Sequence, residues 1–400
     1  LQLEFVEAAF NNLRQAREVL AGHPELAEAD FYSALVFGNV QRVTKDLKES
    51  PEKAMAKGGP LKCEPLIYVC FSRFADGSVG SANNFATVAR LLLQQGANPN
   101  TAYDDPRWPA NPLPCLYAAA GLNSNVELAT VLLDAGANPN DGESLYHSTE
   151  HADLRALKLL LERGAIPKGS NALKHMLDYE SVEGVRLLLA AGADPNEVNE
   201  RGETALHWAV RRGRSATVLA ALVRAGANVD ARRKDGRTAF AMAKMSGQAE
   251  AVMALHRSGA NMEISPIDSL LGVCALADEK GIPLLVASAR PPMPLPVEYE
   301  TFLVEFAASH EVGAVRALLA MGVSIDSRGE HGATALHWAC WKGYADLVAL
   351  LLSRGASTDI KDDSYHATAV GWFQHGRENA HGSNDHYAAV ELILREKSLL

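Results

Sequence analysis

The five residues His147-Ser-Thr-Glu150-His151 set two imidazoles four positions apart around a glutamate. On a continuous helix that spacing puts both rings on one face, where His147 and His151 could hold a zinc ion while the carboxylate works as a base. A third ligand would have to come from His175 or Asp178. Further along, Asp178-Tyr179 adds an acid and a phenol, and Arg211-Arg212 adds two guanidinium forks. Glu150, His151, Asp178 and Tyr179 are the types that acid–base chemistry needs, and Arg211 with Arg212 could clamp an anionic group. Between positions 201 and 250 there are ten Lys or Arg against four acids. The plainer explanation of that excess is a solvated face laced with ion pairs, which are common on surfaces and contribute little. No phosphate-binding glycine loop, G-x-S-x-G elbow, paired C-x-x-C or dinucleotide fingerprint accompanies these groups.

What must position these side chains is a repeated unit. Residues 199–230 read as a turn around Gly202, a short apolar helix over 204–211, a glycine break, a second helix over 215–224 and a closing Gly226-Ala227-Asn228. Helices this short are marginal in water, so each needs a neighbour carrying the same apolar stripe. The sequence supplies them. Thr-Ala-Leu-His-Trp-Ala at 204–209 returns at 334–339, and closing glycines stand at Gly96, Gly136, Gly164, Gly192, Gly226, Gly259, Gly322 and Gly355. Their intervals are 40, 28, 28, 34, 33, 63 and 33 residues. The long interval hides a repeat over 267–289, whose closure is replaced by the proline-rich stretch 291–296. Three further helix pairs precede Gly96, over 5–20, 31–48 and 66–93, and a last unit spans 367–394. The count is about twelve helix pairs.

The unit resembles the ankyrin repeat, whose signature is a Thr-Pro-Leu-His-x-Ala helix start at a period near 33 residues. Ala205 and Ala335 replace the usual proline. The resemblance implies an all-α solenoid running through residues 1–400, with short or missing β-turn fingers. Atypical capping repeats would occupy 1–60, central repeats 61–365 with fingerless units near 137–192, and a C-terminal capping repeat with an inserted loop 366–400. It also implies that first helices line a concave groove, that His207 and His337 bond backbone between repeats, and that Trp208 and Trp338 pack. The family's role is recognition of varied partners, so the fold alone names no function.

Departures from the repeat say more than its copies. The two 28-residue units are too short to hold a finger, while the insertion 101–114 makes an enlarged one bearing Asp104, Asp105, Arg107 and Trp108. A gap beside a tall finger is a pocket. Its lining would include Glu150, His151, Asp178 and Tyr179, with Arg211 and Arg212 on the basic side; Trp341 is the matching groove residue of a later repeat. The function expected is a non-enzymatic recognition scaffold that binds a protein or peptide partner, with an anionic group on that partner, through a groove centred near residues 150–212. The alternative is an enzyme or small-molecule binder in the same pocket. Its acid–base groups would be Glu150, His151, Asp178 and Tyr179, and its anion clamp Arg211 and Arg212.

Seven of the thirteen histidines lie after position 300, close in sequence to Trp341, Tyr344, Tyr365, Trp372 and Tyr387. Five of them, His331, His366, His375, His381 and His386, sit in a finger or in an inserted loop over 373–387, and a loop closing the end of the solenoid is the reading taken, as against a metal site or an aromatic platform. A second insertion, 72–84, reads as a loop between the helices of the third unit. A net charge of −10 argues against nonspecific nucleic-acid binding as the main task. Five scattered cysteines in apolar contexts point to reduced core residues of a cytoplasmic, monomeric protein. No apolar run reaches the ~18 residues of a membrane span, and no cofactor is expected.

Overall fold

The computed structural model describes residues 1–76, 82–105, 110–278, 280–291, 295–379 and 384–400. They form two compact units, Leu1–Asp194 and Pro195–Leu400. The first holds the pairs α1 (Gln2–Asn11) and α2 (Leu13–Gly22), α3 (Phe31–Phe37) and α4 (Val40–Glu49), α5 (Pro65–Phe71) and α6 (Ala82–Gln94), α7 (Cys115–Tyr117) and α8 (Val126–Asp134), α9 (Ser144–His147) and α10 (Arg155–Glu162), and α11 (Ala172–Met176) and α12 (Val182–Ala190). The second holds α13 (Ala205–Arg211) and α14 (Ala216–Arg224), α15 (Ala239–Met245) and α16 (Ala249–Arg257), α17 (Pro266–Ala275) and α18 (Gly281–Ala289), α19 (Glu298–Ala308) and α20 (Val312–Ala320), α21 (Ala335–Lys342) and α22 (Ala345–Ser353), and α23 (Ala369–Asn379) and α24 (Asn384–Glu396). The helix-pair architecture and the repeat hidden in the 63-residue interval both appear as the spacing implied. The closing 373–387 loop does not: α23 continues to Asn379 and α24 begins at Asn384. Among the described residues no helix is long and apolar enough to cross a membrane.

Local chemistry explains why the units repeat. At Thr204 the backbone N–H donates to His207 Nδ1 at 3.2 Å, and His207 Nε2 donates to the carbonyl of Arg237 in the next repeat at 3.2 Å. Thr334, His337 and Ala367 reproduce that arrangement, again at 3.2 Å for both bonds. Each buried imidazole therefore caps its own helix and ties it to its neighbour, and burial pushes both rings toward the neutral form. The second helices close on glycines such as Gly226, at φ +92°, where a left-handed residue lets Ala227 N–H reach the Leu222 carbonyl at 3.1 Å.

A second tie was not read from the sequence. Asn100 donates from Nδ2 to the Gly136 carbonyl at 3.1 Å and accepts from Asn138 N–H at 2.7 Å. Asn196 does the same to Gly226 and Asn228, at 2.9 and 2.7 Å. The asparagine two residues after the closing Gly-Ala-x is thus a rung between consecutive loops, satisfying one donor and one acceptor at each step.

Fingers follow the interval lengths. The two ends of the insertion 101–114 pair as antiparallel strands, with Ala102 opposite Pro114 and Tyr103 opposite Leu113. Shorter fingers close by single bridges at Arg232 with Thr238, Arg328 with Thr334, and Lys361 with Thr368. Ahead of α9 and α11 no bridge occurs among the described residues. There Asp141 caps α9 directly, its Oδ1 accepting from Glu143 and Ser144 N–H at 3.0 and 2.8 Å.

The second unit contains one break in the stacking. First helices α13, α15 and α17 pack in order, as do α21 and α23. Between these runs α17 packs on α20, the second helix of the tenth pair, while α19 packs on α20 and α21. Helix α19 is thereby displaced onto the side chains of the seventh and eighth repeats. Seven of its residues are buried, Tyr299, Phe302, Leu303, Val304, Glu305, Phe306 and Ala307. The close approach that allows this is made by Gly272 and Gly313. A Cβ on Gly313 would stand 2.2 Å from the Ala275 carbonyl oxygen, and one on Gly272 would stand 2.1 Å from that of Lys244.

Candidate functional site

The candidate residues fall in both units, Glu150, His151, Asp178 and Tyr179 in the first and Arg211, Arg212 and Trp341 in the second. Each set is described within its own unit. Trp108 lies outside the described residues.

In the first unit the H-x-x-E-H spacing does not produce a metal-binding face. The α-helix stops at His147, a 3-10 turn covers Ser148–Glu150, and His151 is extended at φ −97°, ψ 139°. Without a second helical turn the two imidazoles part. His151 Nε2 bonds the Gly121 carbonyl. His147 instead has Nδ1 at 2.7 Å from Glu150 Oε1 and Nε2 at 3.2 Å from Glu143 Oε2. Carboxylates accept only, so a ring bonded to both must donate from both nitrogens, which requires the imidazolium. Burial alone would lower the pKa of His147, but Glu150 and then Glu143 outweigh it and raise it. Glu150 is correspondingly lowered, burial being overcome by His147 and, more weakly, by His175 and His151.

Around this ion pair runs a strip of rings carried by three consecutive repeats. Tyr117 and Tyr146 each meet His147 edge-on, with centroids 4.9 Å apart. Tyr146 stacks on His175 at 3.8 Å and 15°, and His175 meets Tyr179 edge-on at 5.9 Å. His175 Nδ1 also lies 2.8 Å from Thr149 Oγ1. Burial holds His175 below the ordinary imidazole range, and burial with Glu150 and Asp178 pushes the Tyr179 phenol up to about 12. Tyr179 is nonetheless 36% exposed, at the open end of the strip. Tyr117 and Tyr146 were missed in the sequence. They stand where Thr-Ala-Leu-His-Trp-Ala has its histidine, and alignment on that register would have found them.

A pH dependence follows. A group whose pKa is raised on folding contributes stability that is fully present below its unfolded pKa and is lost as pH rises through the folded one. Thermal stability is therefore expected to carry a falling limb from His147 above the ordinary imidazole range. His147→Gln should remove that limb, at a cost below ~1 kcal/mol at neutral pH because the group is partly solvated. Melting temperatures of both proteins between pH 5 and pH 9 check it.

In the second unit Arg211 does not stand in an open groove. It is 8% exposed, with Nη2 at 3.2 Å from Glu203 and Nη1 at 3.6 Å from Glu330, and its guanidinium lies 4.3 Å from the Trp208 ring. Its neighbours are engaged in the same way. Arg233 bonds Glu203 at 3.0 Å and Glu305 at 3.2 Å, and Arg201 bonds Glu305 at 2.7 Å. Arg237 holds Asp268 by two bonds at 2.9 and 3.0 Å, while Tyr299 OH donates to the same carboxylate at 2.8 Å. Glu203, wholly buried, is kept ionised because Arg211 and Arg233 overcome the burial that would raise it. Helix α19 thus supplies the acid Glu305 to Arg201 and Arg233, and ring cover from Phe302 and Tyr299 to Arg233 and Arg237. The crevice beside Arg211, lined by Val210, Met242, Phe302, Glu305 and Ser309, holds about 10 Å³, room for at most one water. The ion-pair explanation of the basic excess fits these arginines, and an anion clamp built on Arg211 does not.

Arg212 is half-buried, its guanidinium 5.2 Å from Trp208. Trp341 is half-buried among Trp338 and Trp372, at 5.3 and 5.8 Å.

One comparison, with a family model, agrees with the repeat period. A family model described as ankyrin repeats in three copies matches residues 173–265 and 273–362. Among solved structures, an ankyrin repeat domain from Acinetobacter baumannii AYE is 27% identical over 45% of this chain and 95% of its own, with a TM-score of 0.39.

Proposed function

We propose, from the premise that this is an ankyrin-repeat protein, that its partner surface in the first unit is the ring strip of the fingerless repeats. Ankyrin repeats are protein-interaction modules, and a binding scaffold is the role in keeping with them. The observation that carries the finer reading is the strip itself. Tyr117, His147, Tyr146, His175 and Tyr179 make one continuous run of ring contacts, which starts in the repeat with the paired strands and continues through the two fingerless repeats, flanked by Glu150, His151 and Asp178. Rigid aromatic side chains with polar neighbours are the usual anchors of interfaces, since they bury area at little entropic cost. In the second unit Arg212 and Trp341 are the corresponding contacts. Five free cysteines, four of them buried, support a reducing, cytoplasmic setting.

An acid–base role for the same residues draws less from the geometry. Glu150 is committed to His147, and the Tyr179 phenol at about 12 is poorly placed to exchange a proton near neutrality.

The test is capture from a lysate followed by quantitative mass spectrometry, comparing wild type with a Tyr179→Ala, Asp178→Ala double variant. Both side chains lie outside the core, so unfolding should shift by less than ~0.5 kcal/mol. Loss of one captured protein by at least about tenfold is expected. An unchanged set captured by the folded variant would rule the strip out.

A further inference from the structure

The open end of the first-unit strip sets an uncovered ring beside acids. Tyr179 is 36% exposed, and its one ring contact among the described residues is with His175, at 5.9 Å and 88°. A perpendicular contact leaves at least one phenol face open. No lysine or arginine lies over that ring among the described residues, whereas in the second unit Arg211 lies over Trp208 at 4.3 Å and Lys342 over Trp341 at 4.5 Å. The carboxylates acting on the Tyr179 hydroxyl are Glu150 and Asp178, which join burial in pushing it up to about 12. Glu150 is tied into the strip, with Oε1 2.7 Å from His147 Nδ1 and 3.8 Å from His175 Nε2.

The acids beside the ring keep room for a cation. Glu143 and Glu150 share one imidazolium, His147, so the three together stay negative. His147 takes Oε2 of the first and Oε1 of the second, and Glu150 Oε2 accepts no bond among the described residues; that side chain is 31% exposed. Exposed Glu180 follows Tyr179, and between positions 101 and 150 there are seven acids against one base. The sign changes at the far end, where Arg73 acts on Tyr117 and donates to the Leu122 carbonyl at 2.8 Å. An acidic anchor seated at Tyr179 would face Glu150 and Asp178 with like charge. An apolar one would strip water from those carboxylates without replacing its bonds, and burying an unmet charge is costly. A cation answers both, by charge-assisted bonds to the acids and by attraction to the ring face. Of the side chains that carry one, arginine adds a flat, weakly hydrated fork that stacks on a phenol and donates to two carboxylates at once.

We infer that the partner recognised by the strip presents an arginine, whose guanidinium stacks on the open face of Tyr179 and bonds Glu150 Oε2 and the Asp178 carboxylate. This rests on the strip being the partner surface, and it places a cation on the partner where Arg211 and Arg212 suggested an anion.

The experiment titrates an end-blocked Gly-Arg-Gly-Arg-Gly peptide into the whole chain at about 0.15 M salt, where attraction beyond ~8 Å is screened. The readout is the histidine-ring carbon–proton correlation spectrum, and peptides with lysine or glutamate in place of arginine are the comparison ligands. The arginine peptide is expected to move the His147 and His175 signals and leave those of buried His207 and His337 still. The lysine peptide should bind severalfold more weakly and the glutamate peptide not at all. Tyr179→Leu should weaken arginine binding severalfold and Asp178→Asn by about tenfold, with unmoved His207 and His337 signals reporting that both variants are folded. Silence of His147 and His175 toward the arginine peptide at millimolar concentration overturns the inference, as does equal binding of the lysine peptide, binding of the glutamate peptide, or undiminished binding in either folded variant. Capture from a lysate reads the recognition role separately. A captured protein lost in the Tyr179→Ala, Asp178→Ala variant, together with silence toward the arginine peptide, would keep the strip as a partner surface and overturn the arginine alone.

Discussion

Replacing Glu305 with alanine is expected to destabilise the protein by about 3–5 kcal/mol, the cost of breaking a buried ion pair by removing one partner. The carboxylate is 6% exposed and takes bonds from Arg201 and Arg233. Without it, Arg233 keeps Glu203 and Asp235, but a guanidinium that is itself 8% exposed loses the acid facing it from α19. Glu305→Gln should lose less, because the amide oxygen can still accept from one arginine. Denaturant unfolding of the three proteins gives the comparison. A loss below ~1 kcal/mol for the alanine variant would place Glu305 among ordinary surface pairs.

Gly313→Ala should be nearly as damaging, by roughly 2–3 kcal/mol or more, although glycine to alanine within a helix ordinarily gains up to ~1 kcal/mol. The sign reverses because the new methyl would meet the Ala275 carbonyl at 2.2 Å, and that atom belongs to backbone that cannot swing aside. Relief requires α20 to move off α17. Gly22 is the matched control: it also lies in a helix, with nothing within 4 Å of the position its Cβ would occupy. Gly22→Ala should be neutral or stabilising, so a thermal melt of the two variants separates packing from propensity.

The repeat was legible because stacking imposes a period. The closing glycines, the Thr-Ala-Leu-His-Trp-Ala copies and the short intervals mark twelve pairs and the two fingerless units, and the backbone follows them. What was not legible depends on tertiary contact. The zinc-like spacing assumed a helix through His151, but Glu143 and Glu150 hold His147 in place and a 3-10 turn follows it, so the period of the helix fails within four residues. Arg211 and Arg212 look equivalent in sequence. One is buried by α19 and the other half-buried, because the jog that brings α19 onto the seventh and eighth repeats lies some hundred positions away in the chain. Its trace in the sequence was the 63-residue interval, together with an acid, Glu305, set among apolar residues of one helix. Read together, those two signals could have placed the basic stretch under α19 rather than in a groove. Tyr117 and Tyr146 were hidden for the opposite reason, since they occupy a register position that elsewhere carries a structural histidine.

Helix α19, through Glu305 and without a bound partner, neutralises Arg201 and Arg233 of the seventh and eighth repeats. A double-mutant cycle on Arg233→Ala and Glu305→Ala measures that directly. The two side chains touch at 3.2 Å and are each over nine-tenths buried, so the coupling is expected to be about 1.5 kcal/mol or more, with the double variant losing clearly less than the sum of the single losses. Strictly additive losses would mean that the two groups do not meet in solution, and would contradict the placement of α19.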